Sequence, residues 1–320
     1  MEEKQGDLPV LVARGNGIPE AWENSLIELY NSGLWYERSG RKDKGRLQVD
    51  STMVIEIKDV DKHSIQHKYA IGTWEPLFEY QMEMLGAKDS FEDRTGESNR
   101  WPYQYHERLA DYPGTTMNIN QIEEGIIKKL VQRLDTRQAN AITWVPERDN
   151  YSIDPPCLQR VWCELVPLDN PEKGPFALNM NYNFRSRNAM IAAPMNMLGL
   201  WTVQTFILNR LQEETGLEIR HARMVDFTDA YHVKSDDQKE LEKFMSNLKD
   251  SKRKREYICQ RSFPIEQDLM MLNQSKDTVK DRIALMAGNY LKEEKLEKKV
   301  GEIERIANVV FEMNNAYLGK

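Results

Sequence analysis

The sequence predicts an α+β fold, and three stretches carry that expectation. Residues 47–58 (LQVDSTMVIEIK) alternate apolar and polar side chains, the period of a half-buried strand. Residues 119–134 (INQIEEGIIKKLVQRL) place apolar residues at helical spacing, as an amphipathic helix does. Residues 189–214 read as a helix too rich in Met, Leu and Trp for a surface position, so it is expected at the centre. Together they predict a twisted sheet covered by one buried helix and by flanking helices.

The remaining elements follow in order. Ala21, Trp22, Leu26, Ile27 and Tyr30 fall on one helical face within 17–33, and Gly33 stops that helix. A basic loop, ERSGRKDKGR, runs from Glu37 to Arg46. Residues 74–86 (WEPLFEYQMEMLG) return to helical spacing, and 87–118 read as a long polar loop with Gly, Pro and aromatics. Apolar runs at 139–145, 158–166, 176–184 and 217–227 read as strands, and the charged stretches 235–249 and about 278–317 as helices. The charged run DSKRKRE marks a boundary, giving a catalytic domain over 1–250 and a helical C-terminal extension over 251–320.

Composition narrows the class. The chain has 320 residues, 40% hydrophobic and 30% charged, which excludes a wholly disordered chain, a collagen and a disulfide mini-scaffold. The net charge of −7 argues against gripping duplex nucleic acid, which needs a basic face. A nucleotide in a local basic pocket remains allowed. The three cysteines, Cys157, Cys163 and Cys259, cannot all pair and have no metal-ligand spacing, so no metal is expected. The N-terminus MEEKQGDLPV lacks an apolar signal region, and no apolar run reaches the roughly 18–20 residues of a membrane helix. A cytoplasmic protein without a membrane partner is the expectation.

Several residues then stand out chemically. Pro155 and Pro156 fix a rigid extended entry to Cys157, where the strand LQRVWCELV begins. A thiol there is well placed for attack, although a lone cysteine is more often a small buried apolar side chain. Arg185-Ser186-Arg187 ends a strand just before the buried helix. Guanidinium groups there suit a phosphate, or pair on the surface. Arg38 and Arg41 could serve the same anion. Asn196, within AAPMNMLGLW, needs partners for its amide, either local backbone or one edge of a pyrimidine. Glu79 among Phe78, Tyr80, Met82 and Met84 is either a surface carboxylate or an acid–base group with a raised pKa.

The order of these residues resembles the thymidylate synthases and their pyrimidine hydroxymethylase relatives over roughly residues 17–240. The strongest stretch is 154–196: Pro-Pro-Cys157 opens a strand, and FRSRNAMIAAPMN follows the family's Arg-Ser-x-Asp and Pro-x-Asn pattern without a gap. Arg38-Ser39-Gly40 resembles the family's mobile phosphate loop, and Glu79 to Gly86 its catalytic glutamate helix. Tyr105 in YHERL resembles the Tyr-Gly-x-Arg segment, and NQIEEGI the helix after it. Arg137-Gln138 falls where the family has an arginine pair reaching into the partner subunit's phosphate site, and Trp144 falls on the next strand.

The resemblance implies a thymidylate synthase-like twisted mixed sheet, a homodimer, a pyrimidine nucleotide substrate and 5,10-methylenetetrahydrofolate as cosubstrate. It implies Cys157 as nucleophile toward C6, with Glu79, Tyr105 and Asn196 as its catalytic companions. Arg38, Arg137, Arg185 and Ser186 would hold phosphate. Asn196 would read the base, and Tyr231, or else His232, the sugar. Asn188, Phe91 and Trp101 would meet the folate. The chain departs at Asn188, where the family has Asp, at Gln138, where it has Arg, at Asp229-Ala230-Tyr231-His232 and in its C-terminal tail. A thymidylate synthase acting on dUMP leads, because an Asn amide matches uracil O4 and N3–H. A dUMP or dCMP hydroxymethylase shares the same residues. A non-catalytic nucleotide- or RNA-binding relative is the reading from another class.

Overall fold

The computed structural model describes residues 6–37, 47–60, 63, 65–70, 74–89, 103–249, 265–291 and 293–316. The elements in order are β1 (Val10–Gly15), α1 (Ile18–Ser32), β2 (Leu34–Glu37), β3 (Leu47–Ile57), α2 (Trp74–Glu83), α3 (Tyr105–Ala110), β4 (Tyr112–Pro113) and β5 (Asn118–Ile119). A π-helical turn (Ile122–Ile127) runs into α4 (Lys128–Gln132), followed by β6 (Asn140–Ile142), α5 (Pro146–Asp149), β7 (Leu158–Asn170), β8 (Gly174–Phe184), β9 (Arg187–Asn188) and α6 (Ala192–Thr215). β10 (Ile219–Val233), α7 (Gln238–Lys249), α8 (Ile265–Gln274), α9 (Lys276–Tyr290) and α10 (Glu293–Ala316) complete the chain. The chain mixes helix and sheet, and the sheet contains parallel and antiparallel pairs, as an α+β sequence predicts.

The contacts divide the chain into two units, one of 1–71, 181–197 and 223–265, the other of 72–180, 198–222 and 266–320. In the first, β1 runs parallel to β3 and β10 antiparallel to it, while β2 pairs with the start of β3. The helix α1 buries Ile18, Trp22, Leu26 and Leu29, all at helical spacing. Trp22 anchors it: the indole N–H donates to Ala189 O at 2.7 Å, and the ring meets Phe244 of α7 edge-on at 5.3 Å.

A bulge in β10 decides which side chains face inward. Met224, Asp226 and Thr228 are buried, then the pairing with β3 slips between Thr228 and Tyr231, and Tyr231 and Val233 become the buried residues. One extra residue reverses the side-chain parity of everything beyond it. Tyr231 therefore faces the core, where its hydroxyl meets Ser25 Oγ at 2.8 Å. β9 pairs in parallel with β10, Arg187 beside Tyr231. The buried Arg187 guanidinium forms an ion pair with Asp226 and lies 4.6 Å over the Phe184 ring. Burial pushes the Asp226 carboxyl up, and Arg187 pulls it part of the way back.

In the second unit β7 lies between β8 and β6, with β6 antiparallel to β7. From Leu198 onward α6 buries Leu200, Val203, Ile207 and Leu211, and the buried Gln204 amide donates to Leu178 O at 2.8 Å. Through its middle the helix is buried even at the polar positions Thr202, Gln204 and Thr205, whereas Glu213 and Glu214 near its end are exposed. Gly199 of α6 lies against α2: a Cβ there would stand 2.8 Å from Met84 Cγ and closer still to the Tyr80 ring. Three helices, α8 to α10, pack in this unit, two of them against α2.

The structure departs from the sequence expectations in places. β1 and β2 are strands of six and four residues, too short for a period to register. The stretch 87–118, read as a loop, contains α3 and the β4–β5 pair. The helix expected from 119 opens as a π turn, in which Gly125 lies close to Asn140 O. The strand expected to end at 227 continues through the bulge to Val233. Among the described residues no helix is long and apolar enough to cross a membrane.

Two substitutions test this packing. Gly199→Ala should overpack the contact with Tyr80 and Met84 and destabilise by roughly 1–3 kcal/mol in urea unfolding. Arg187→Met should leave Asp226 buried without its cation and cost about 3–5 kcal/mol, read as a lower urea midpoint with an unchanged slope.

Candidate active site

The thiol and its tyrosines belong to the second unit. Cys157 follows Pro155-Pro156 and immediately precedes β7, so the two prolines deliver it at the strand mouth. Its residue is partly exposed, whereas Cys163, six residues on in the same strand, is buried and its thiol is pushed up to about 12 by burial. The strand entrance is held from several sides. The Gln159 amide donates to Pro156 O at 2.7 Å, Thr143 donates its hydroxyl to Leu158 O, and the Leu158 amide donates to the Tyr105 hydroxyl at 3.3 Å.

Tyr105 is placed by α3, which is bolted down one turn later. Arg108 forms a buried two-pronged pair with Asp149, Nη1 to Oδ2 at 3.0 Å and Nη2 to Oδ1 at 3.1 Å. Asp149 in turn accepts from the Val145 amide at 2.6 Å. Gln121, in the NQIEEGI segment, joins α3 to β6: its amide donates to Arg108 O and Ile142 O and accepts from the Ile142 amide. Tyr103 stacks at a tilt on Tyr105 with ring centroids 5.4 Å apart. Both phenols are pushed up, first by burial, with the Cys157 charge adding to the effect and Tyr80 of α2 acting on Tyr105. Tyr103 and Tyr105 meet beside the strand entrance that Cys157 precedes, and Tyr80 acts on Tyr105 electrostatically. Tyr103 was not foreseen; its only sequence signal is the Tyr-x-Tyr spacing.

Glu79, on the same helix as Tyr80, is neither a surface carboxylate nor one with a raised pKa. Its side chain is only 17% exposed, and both oxygens are taken: Lys88 Nζ lies 2.6 Å from Oε1, and Arg282 Nη2 donates to Oε2 at 2.5 Å. Burial pushes the Glu79 carboxyl up, but Lys88 and Arg282 together outweigh it and hold it below the ordinary range. The raised carboxyl is Glu83, one turn on: burial pushes it up although Lys88 also reaches it at 2.9 Å. Lys88 returns to α2 because the chain reverses at Gly86, whose φ is +96°. Neither Lys88 nor Arg282 carries a local sequence signal, since one depends on that reversal and the other is 203 residues away from Glu79.

The first unit holds the other candidates. Arg185 and Ser186 occupy the bend between β8 and β9, both partly exposed. Asn188 accepts at Oδ1 from the Met190 and Ile191 amides and donates to Asp237 Oδ2 at 2.7 Å. It thereby builds the turn that leads into α6. Asn196 is buried in the first turns of α6. Tyr231 is wholly buried, whereas His232, beside Asn188 in the β9–β10 register, is partly exposed. Of the two residues considered for the sugar, only His232 presents surface.

Arg137 lies in the second unit, in the loop between α4 and β6. Its side chain is 86% exposed, with Glu164 at 3.7 Å, and it lines an open cavity of about 490 Å³ with Arg133, Thr136, Gln138 and Glu164. Arg38, Phe91 and Trp101 lie outside the described residues. Among the described residues no group of three or more metal-ligating side chains gathers.

No family model matches the chain. It is 33% identical over 174 residues to a provisionally named thymidylate synthase of Methanocaldococcus jannaschii, covering 53% of this chain and 70% of that relative. Provisionally named thymidylate synthases of Methanosarcina barkeri (25% over 205 residues, 64% of this chain and 83% of the relative) and Methanococcoides burtonii (26% over 196 residues, 61% and 78%) are also similar. By this similarity the chain belongs to the thymidylate synthase family.

Proposed function

We propose that the chain is a thymidylate synthase that converts dUMP and 5,10-methylenetetrahydrofolate to dTMP and dihydrofolate. The observation that carries the reading is Cys157, a partly exposed thiol at a rigid strand entrance among tyrosines, in a chain of this family. Cys157 adds to C6 of the uracil ring, and the electron pair of the 5,6 bond moves to C5 as an enolate. C5 then bonds the one-carbon unit of the folate; once the C5 proton is lost the bond from that carbon to the folate nitrogen breaks, the folate amine leaves, and hydride from the folate completes the methyl group and leaves dihydrofolate. Glu79, acting through water, takes the C5 proton and serves O4. Its lowered pKa keeps it ionised, and so able to accept, when that proton leaves. Loss of Cys157 from C6 restores the double bond.

The binding roles follow the family pattern residue by residue. Arg185 and Ser186, with Arg38 and with Arg137 from the other copy of a homodimer, hold the 5′-phosphate. Asn196 reads O4 and N3–H of the base. Tyr105 supports the strand entrance beside Cys157 through the Leu158 amide. His232 takes the sugar hydroxyl in place of the buried Tyr231. Asn188, Phe91 and Trp101 are the folate side of the site. The exposure of Arg137 leaves it able to reach a second subunit. The expected site of action is the cytoplasm.

Two measurements check this reading. With dUMP and methylenetetrahydrofolate, absorbance near 340 nm should rise as dihydrofolate forms, and Cys157→Ser should abolish the rise while dUMP still binds. A product one oxygen heavier, without that rise, would replace the synthase by a hydroxymethylase. Unchanged biological activity of Cys157→Ser would favour a non-catalytic nucleotide- or RNA-binding role. Separately, iodoacetamide on the native protein near pH 8 should alkylate Cys157 and spare Cys163, read by peptide mass mapping.

A further inference from the structure

The helices α8 to α10 have no part in the roles given above, yet both α9 and α10 reach one element, α2, with polar side chains. Arg282 of α9 spans two carboxylates a turn apart on α2, Nη1 to Glu75 at 3.0 Å and Nη2 to Glu79 at 2.5 Å. Lys299 of α10 donates to Gly86 O at 2.8 Å, where the chain turns back toward Lys88. Asn314 of α10 accepts from the fully buried Gln81 amide at 3.1 Å, and that amide also donates to Thr202 of α6. Every residue in this set lies in the second unit.

The anchors differ in kind. Asn314 and Lys299 hold backbone or a neutral amide, which fixes where α2 lies. Arg282 alone among them touches Glu79 itself. A carboxylate held at one oxygen by Lys88 can still swing its other oxygen. A second cation at Oε2 removes that freedom and keeps both oxygens charged. We propose that Arg282 is a positioning residue for the family reaction, fixing the orientation and charge of Glu79 from the C-terminal helices. The inference rests on the reading of Glu79 as the base.

The groups facing Glu79 define the effect. Lys88 follows α2, Arg282 comes from α9, and Glu75 and Glu83 lie a turn away on α2, with Asp89 acting on Glu83. Removing Arg282 leaves one cation against two neighbouring carboxylates, so the Glu79 pKa should rise. Activity that needs ionised Glu79 is then lost at a higher pH as pH falls.

The experiment compares the pH dependence of kcat in the full-length protein and four variants. Arg282→Gln should move the acidic limb to higher pH by about one pH unit and lower kcat roughly tenfold below that limb, with KM for dUMP changed less than kcat. Arg282→Lys should restore most of the limb position. Asn314→Ala, which cuts a neutral anchor, should lower the melting temperature and leave the limb in place. An acidic limb unmoved in Arg282→Gln, while Glu79→Gln has lost turnover, would overturn the inference and leave the base reading intact. Full turnover in Glu79→Gln would overturn the base reading itself. Equal limb shifts in Arg282→Gln and Asn314→Ala would make Arg282 a structural anchor and also overturn the inference.

Discussion

Helix α2 is fixed by the pairing of charge it buries, and the chemistry proposed for the second unit depends on that pairing. The helix has an apolar face, with Leu77, Phe78 and Met82 buried, and a face of carboxylates at Glu75, Glu79 and Glu83. Taking carboxylates out of water costs several kcal/mol each unless cations meet them. Lys88 supplies one from the turn after the helix, and Arg282 supplies the other from α9. The Gly199 contact presses Tyr80 and Met84 against α6, so the helix has little room to shift. Glu79 and Tyr80 are adjacent on this element. The carboxylate and the tyrosine whose charge acts on Tyr105 are therefore set by one placement.

The first unit solves a similar problem around Arg187. Its charge lies deep in the core, and its carboxylate partner is Asp226, two residues before Thr228. The bulge in β10 matters here electrostatically as well as sterically. Without it, parity would bring His232 inward beside Arg187 and turn Tyr231 outward. With it, Arg187 faces an aromatic ring at 5.4 Å and a carboxylate, and the imidazole lies on the other face. Cation–ring and ion-pair contacts both favour the ionised guanidinium, whereas a second cation would oppose it.

What the sequence revealed follows the range of the forces involved. Elements with a long period, such as α1, β3, α6 and β7, were legible because burial writes one face into many residues. Cys157, Arg185, Ser186 and Asn196 stand out as residue types in order, and that order carries the family resemblance. Short strands, the π turn at Ile122–Ile127 and the β10 bulge each depend on a single residue of backbone, too little to leave a pattern. Lys88 and Arg282 were silent for another reason. A charged residue in a charged segment looks solvated until the fold delivers it to a partner, and for Arg282 that partner is 203 residues away.

Arg187 and the departure beside it, Asn188, are then one structural solution. In the sequence Arg187 fills the variable position of the family's Arg-Ser-x-Asp pattern and Asn188 replaces its aspartate, which placed the folate contact in question. In the fold they point to opposite faces of a two-residue strand. Arg187 goes inward to Asp226, and Asn188 uses its oxygen to cap the Met190 and Ile191 amides and its nitrogen to reach Asp237. An aspartate at 188 could accept from the same two amides, but against Asp237 it would set two carboxylates at hydrogen-bond distance, a repulsion that the amide nitrogen removes. Asn188 is therefore matched to Asp237 within this chain. Any folate ligand there would meet an amide already committed to the turn, so its affinity would depend on what Asp237 leaves available rather than on a second ionised carboxylate.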